Sequence, residues 1–130
     1  KSLIAHAPFL ESHDVEILKD TGCTIAHSPV SNAFFANAVL PVKDFKSSGA
    51  KIGLASDISG GYSPSIYQAI RQAVLSSRML EDGVNPALPS HKRGRNNSAI
   101  TFNNAFYLAT VAGGEALDLP IGKLEKDYMN

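Results

Sequence analysis

Several signals that assign a chain to a partner or compartment are missing from these 130 residues, and each absence narrows the choice. Twelve basic and twelve acidic residues cancel, so no overall field attracts nucleic acid or an anionic membrane surface. A single cysteine, Cys23, excludes an internal disulfide and favours a reducing, cytoplasmic setting. No apolar run approaches the roughly 18 residues needed to cross a bilayer. The opening Lys1-Ser2-Leu3-Ile4-Ala5-His6 is too short in its apolar part for a secretory signal. Phosphate-cradling motifs are absent as well, since Gly60-Gly61 has no lysine at the required spacing and no G-x-G-x-x-G occurs. Without a 20–50-residue repeat, a solenoid is excluded.

What remains is a chain that can fold. Hydrophobic residues make up 44% and charged residues 18%, enough apolar material for one core in a single domain spanning residues 1–130. Three segments end an apolar run on a residue suited to metal chemistry: Ser2-Leu3-Ile4-Ala5-His6, Cys23-Thr24-Ile25-Ala26-His27 and Lys51-Ile52-Gly53-Leu54-Ala55-Ser56-Asp57. Each predicts a buried strand, at 2–7, 23–28 and 51–56. Between them lie a helix capped by Ser12 and ended by Gly22, a small apolar loop over 31–40 that lines something, and a helix from Pro41 to Ser48. Beyond Asp57, a Gly60-Gly61 turn with Ser63 as cap and Pro64 at the first position starts a helix running to Leu80. Residues 82–98 are expected to be irregular. A last helix over Phe102 to Leu117 has Phe106, Ala109 and Ala112 as its inner stripe.

The order β-α-β-α-β-α predicts an α/β fold with three parallel strands joined by right-handed crossovers. Parallel sheets need cover on both faces, and these helices suffice for one. Such folds gather polar residues at the C-terminal ends of their strands. Asp57 is the leading candidate there, because a carboxylate after Ile52-Gly53-Leu54-Ala55-Ser56 needs a cation or backbone donors. Its plainer role is a cap on the Gly60-Gly61 turn. His6, at the matching position, could ligate metal, hold water or polarise a carbonyl, or be a satisfied core residue. For His27 the structural role is favoured, with several partners in the polar run that follows. Asn32 is expected to brace that run through side-chain-to-backbone bonds. His13 and His91 are expected in solvent, and Cys23 in inert packing.

These segments also resemble a known family. His6-Ala7-Pro8-Phe9-Leu10, Ile25-Ala26-His27-Ser28-Pro29-Val30-Ser31-Asn32 and Gly53-Leu54-Ala55-Ser56-Asp57 with Ser59-Gly60-Gly61-Tyr62-Ser63 are similar, in this order, to the C-terminal part of guanine deaminases. Ala105-Phe106-Tyr107-Leu108-Ala109-Thr110 and Gly113-Gly114 extend the resemblance. Asp57 followed by Gly-Gly-Tyr-Ser is its most specific piece. The resemblance implies a zinc enzyme of the amidohydrolase superfamily that hydrolyses guanine to xanthine and ammonia. Its (β/α)8 TIM-type barrel would be represented here only by strands six to eight.

Asp57 then matches the strand-eight zinc ligand and proton carrier, His6 the strand-six contact to substrate or water, and His27 a strand-seven residue that is not a ligand. The remaining ligands of the one zinc, a His-x-His pair and a strand-five His, have no counterpart in this sequence, and neither does the strand-five Glu. Ser28 and Val30 stand where Cys and Asn are usual. The expectation is therefore an incomplete barrel domain, inactive and weak in zinc binding by itself, from a cytoplasmic parent that is a homodimer or self-associates through exposed barrel surface. The rivals are another aminohydrolase of the superfamily and a non-catalytic remnant serving as an interaction module.

Overall fold

A computed structural model describes residues 2–129. Its sheet has three parallel strands in sequence order, β1 (Leu3–Ala5), β2 (Thr24–His27) and β3 (Lys51–Leu54). Ile4 pairs with Ile25 and Ile25 with Ile52, so one row of β-branched side chains crosses the sheet. Ile25 and Ile52 are buried at 0% and 2% exposure in a core shared with Val15, Leu18, Phe45, Ile70 and Leu108. The next row, Ala5, Ala26 and Gly53, points the other way by the pleat. Leu3 and Ala5 are exposed there, while Gly53 is covered, its absent side chain admitting Gly113 to 3.4 Å of where a Cβ would stand. One face of the sheet is thus well covered; the other is covered at Gly53 and at the fully buried Thr24 of β2 and open along β1.

Seven helices complete the described chain. The first, α1 (Ser12–Asp20), begins one residue before the expected cap position becomes useful: Ser12 is already helical, and Glu11 is the cap, its N–H donating to Asp14 at 2.9 Å. The expected loop at 31–40 is largely helix, α2 (Pro29–Ala36), ended by Asn37 in a left-handed conformation. Pro29 does not stop this helix, because at the first helical position its missing N–H has no bond to lose. Next come α3 (Val42–Ser47), close to expectation, and α4 (Ile66–Asp82). Ser63 and Pro64 lie two residues before the observed cap, Ser65, and first helical residue, Ile66; Ser63 Oγ instead accepts from Ser65 N at 3.2 Å.

The polar stretch after α4 contains one short helix, α5 (Ser90–Arg93), and is tied back to it by Arg95 N donating to Leu80 O at 2.8 Å and Ala99 N to Glu81 at 2.6 Å. The single last helix of the sequence reading is two, α6 (Phe102–Ala109) and α7 (Val111–Leu117), broken at Thr110. The buried stripe is Ala105, Leu108 and Ala112, and Phe106, expected within it, is 41% exposed. Thr101 caps α6 by accepting from Asn104 N at 3.2 Å.

Candidate active site

The strand ends carry the candidate residues, and two of those residues sit on unusual backbone. His6 follows β1 and keeps the ladder for one more bond, its N–H donating to Ala26 O at 3.0 Å. Its φ is nevertheless 69°, and that of Ala7 is 59°. Left-handed backbone costs a residue with a Cβ roughly 1–2 kcal/mol, so the chain is bent here against its local preference. Asp57 likewise has φ 54°. Its own carbonyl closes the following turn by accepting from Gly61 N at 2.5 Å. Gly61 is obligatory there, since a Cβ would lie 2.0 Å from Ser56 O. The turn is therefore closed by backbone; the Asp57 carboxylate stands against Gly60, its Oδ2 2.9 Å from where a Cβ would be, and among the described residues makes no hydrogen bond to the turn.

It lies beside His6. Nε2 of His6 and Oδ2 of Asp57 are 3.8 Å apart, with the two side chains 44% and 35% exposed. That is too long for a hydrogen bond and short enough for both groups to meet one small bound species. The other ring nitrogen, Nδ1, is in hydrogen-bond contact with Asn32 Oδ1 at 3.0 Å. Asn32 was expected to hold its own loop through backbone bonds; because that stretch is helical, its backbone is already paired and the side chain is released to reach across to β1.

Around these residues is an open cavity of about 510 Å3, lined by His6, Phe9, Ser31, Asn32, Phe35 and Asp57 with Pro8 and Ala36. The expectation that 31–40 lines something is met by the first turns of α2. Phe9 and Phe35 are 75% and 69% exposed, and Phe34 meets Phe35 edge to face at 4.9 Å. Aromatic walls with a few polar groups suit a flat, partly polar ring. No role for Phe9 or Phe35 was foreseen; the only available signal was a pair of phenylalanines in a stretch of small residues.

His27 does not line this cavity. It is 2% exposed, and burial pushes its pKa down from 6.5 to about 3, so the ring is neutral. Its Nδ1 has no partner among the described residues, contrary to the expectation of several: Ser28 Oγ donates to Ala26 O at 3.4 Å, Asn32 Oδ1 meets His6, and Ser31 Oγ is itself unpaired. His13 and His91 are exposed, as expected.

A zinc ion does not fit this set of residues. Catalytic zinc sites use three protein ligands beside an open position, and structural sites use four. Among the described residues no three His, Cys, Asp or Glu side chains gather. His6 and Asp57 are two, and a complete site needs ligands from beyond them.

The model of the Amidohydrolase family matches residues 1–129. Guanine deaminase of Rattus norvegicus is 36% identical over 98% of this chain and 27% of its own length. Among solved structures, guanine deaminase from C. acetobutylicum with bound guanine in the active site superposes with a TM-score of 0.80 at 28% identity, over 97% of this chain and 28% of that one. An adenosine deaminase from Xanthomonas campestris with bound zinc shares the fold with a TM-score of 0.75 at 17% identity, over 95% of this chain and 26% of that one. The chain spans about a quarter of the length of the curated relatives it matches.

Proposed function

This chain belongs to the amidohydrolase family, and from that premise we propose that it is the part of a guanine deaminase that supplies strands six to eight of a (β/α)8 barrel. The observation that carries the proposal is the meeting of His6 and Asp57 at 3.8 Å over an aromatic-walled cavity, at the C-terminal ends of adjacent-but-one parallel strands. That end of a barrel is where such enzymes place their chemistry. Likeness to guanine deaminases supports a purine base as the substrate and hydrolytic loss of its exocyclic amine as the reaction of the intact parent.

In this reading Asp57 and His6 face the reacting atoms, Phe9 and Phe35 flank the ring, and His27 stays structural. Zinc is the cofactor the family suggests. Asp57 would be this chain's one contribution to it, and the other ligands would come from chain beyond residues 1–130. The exposed Leu3 and Ala5 side of β1 and the 94% exposed Leu124 support association with the rest of the barrel or with a second copy. The lone Cys23 suits a cytoplasmic parent.

The test is turnover. The intact parent, assayed against guanine, adenine, adenosine and triazine amines, is expected to release ammonia fastest from guanine, whereas no reaction with guanine discards the proposal in favour of a sister aminohydrolase. The chain of 130 residues alone is expected to give no ammonia and to bind Zn2+ only weakly by calorimetry. Sedimentation is expected to show it self-associated; a cooperatively folded monomer in dilute solution argues against an open barrel surface.

A further inference from the structure

We infer that Asn32 is a positioning residue that holds His6 in the Nδ1–H tautomer, so that the cavity is presented with the lone pair of Nε2. The carbonyl oxygen of an amide only accepts hydrogen bonds. With Oδ1 of Asn32 3.0 Å from Nδ1 of His6, the ring proton therefore sits on Nδ1. A neutral imidazole carries one N–H, which leaves Nε2 bare. No hydrogen bond among the described residues claims that nitrogen, since Asp57 Oδ2 at 3.8 Å is beyond hydrogen-bond reach.

Asn32 is built to be an immovable partner. It is 3% exposed and lies inside α2, where its N–H donates to Ser28 O at 2.9 Å and its carbonyl accepts from Ala38 N at 3.1 Å. Its Nδ2 is buried without a partner among the described residues, so the amide leaves one donor unpaired to place its oxygen on His6. An unpaired buried donor is costly, and natural structures keep few of them. His6, in contrast, is on an edge strand, 44% exposed in its side chain, on left-handed backbone. Left to itself such a ring would sample several rotamers and both tautomers. The bond from Asn32 fixes both together.

The consequence for chemistry rests on the proposed function. A bare Nε2 accepts a hydrogen bond from an O–H or N–H in the cavity and does not donate one. His6 then orients the attacking water, or a ring N–H of the base, by acceptance. The reversed amide would hand an N–H to Nδ1, force the proton onto Nε2 and make His6 a donor towards Asp57.

These two arrangements differ in a direct spectroscopic signature. In long-range proton–nitrogen correlation spectra of the 15N-labelled chain at about pH 8.5, above the ordinary imidazole range, His6 is expected to show a protonated Nδ1 and a bare Nε2. Exposed His13 and His91 should show the opposite tautomer. Asn32→Ala is expected to move His6 to the pattern of His13 and His91, and Asn32→Asp, which keeps the acceptor, to retain Nδ1–H. A wild-type His6 protonated on Nε2, or one unmoved by Asn32→Ala, overturns the inference. Should Asn32→Ala fail to fold, the wild-type and Asn32→Asp spectra decide alone.

In the intact parent, Asn32→Ala should lower kcat about 10–100-fold, the usual range for a supporting partner of a site histidine. KM should stay within about threefold, and Asn32→Asp should recover part of the loss. The spectrum reads His6 whether or not guanine is turned over, so a failed tautomer and a failed substrate assignment are separate results.

Discussion

Two histidines in this molecule end the same tripeptide, Ile4-Ala5-His6 on β1 and Ile25-Ala26-His27 on β2, and the two strands pair in register through it. Their fates are opposite. His27 stays in β conformation on the central strand, walled in at 2% exposure, and is kept neutral with a pKa of about 3. His6 leaves the edge strand through a left-handed turn, keeps 44% of its side chain exposed, binds Asn32 and approaches Asp57. Identical local sequence yields a structural ring in one place and a site ring in the other. The difference comes from the strand's place in the sheet and from the left-handed turn at His6 and Ala7.

The widest separation between the two should appear in catalysis. In the intact parent, Asp57→Asn is expected to lower kcat about 10²–10⁴-fold, as for loss of a positioned acid–base group, with little change in melting temperature. His27→Leu should do the reverse, shifting stability with kcat within a few-fold. Comparable loss of kcat from His27→Leu would dissolve the contrast.

Acid should expose the same contrast as a stability effect. The folded pKa of His27 lies below its unfolded value, near 6.5, because burial disfavours the charged ring. As pH falls through about 6.5 the unfolded chain takes up a proton that the folded chain refuses until about pH 3. Stability is therefore full above the unfolded pKa and drains away between these limits, by about 3–5 kcal/mol in all. Urea midpoints at pH 7 and pH 4 should fall for the wild type and fall distinctly less for His27→Leu. Equal slopes would mean that His27 is not the group responsible.

Smaller effects test the bent strand ends. Gly61→Ala puts a Cβ 2.0 Å from Ser56 O and should cost about 1–3 kcal/mol in thermal denaturation. Gly60→Ala puts a Cβ 2.9 Å from Asp57 Oδ2 and 3.4 Å from its carbonyl oxygen, so it should cost less while displacing the site. Smallest of all, Ala7→Gly relieves the left-handed φ of 59° next to His6 and should be neutral or stabilising by up to about 1 kcal/mol. A clear loss of stability there would show that the alanine methyl, which packs on the core, outweighs the strain.

Much of this was legible beforehand for definite reasons. The three strands are short apolar runs bounded by polar or Gly-containing turns, and right-handed crossovers leave little choice about their parallel order. The helix α2 was not legible because its composition is apolar nearly all round, with no polar face to reveal a 3.6-residue period, and because Pro29 reads as a breaker when it is a first-turn residue. The break at Thr110 was hidden for a related reason. Alanines and glycines on both sides fit either phase of a helix, so the inner stripe was assigned to Phe106 and Ala109 when Ala105 and Leu108 are buried.

The sequence by itself determined which residues could carry chemistry: a carboxylate and two imidazoles, each at the end of an apolar run, with a Gly-Gly turn after the carboxylate. Their types, their order and their strand-end placement follow from local patterning, which depends only on neighbours along the chain. Tertiary structure alone decided that His6 and Asp57 face one another, that Asn32 crosses from α2 to hold one of them, and that His27 is sealed away. Those outcomes turn on long-range packing and on left-handed φ at His6 and Asp57, a conformation that His and Asp enter more readily than most residues with a Cβ but adopt in only a minority of cases, so residue type alone does not announce it.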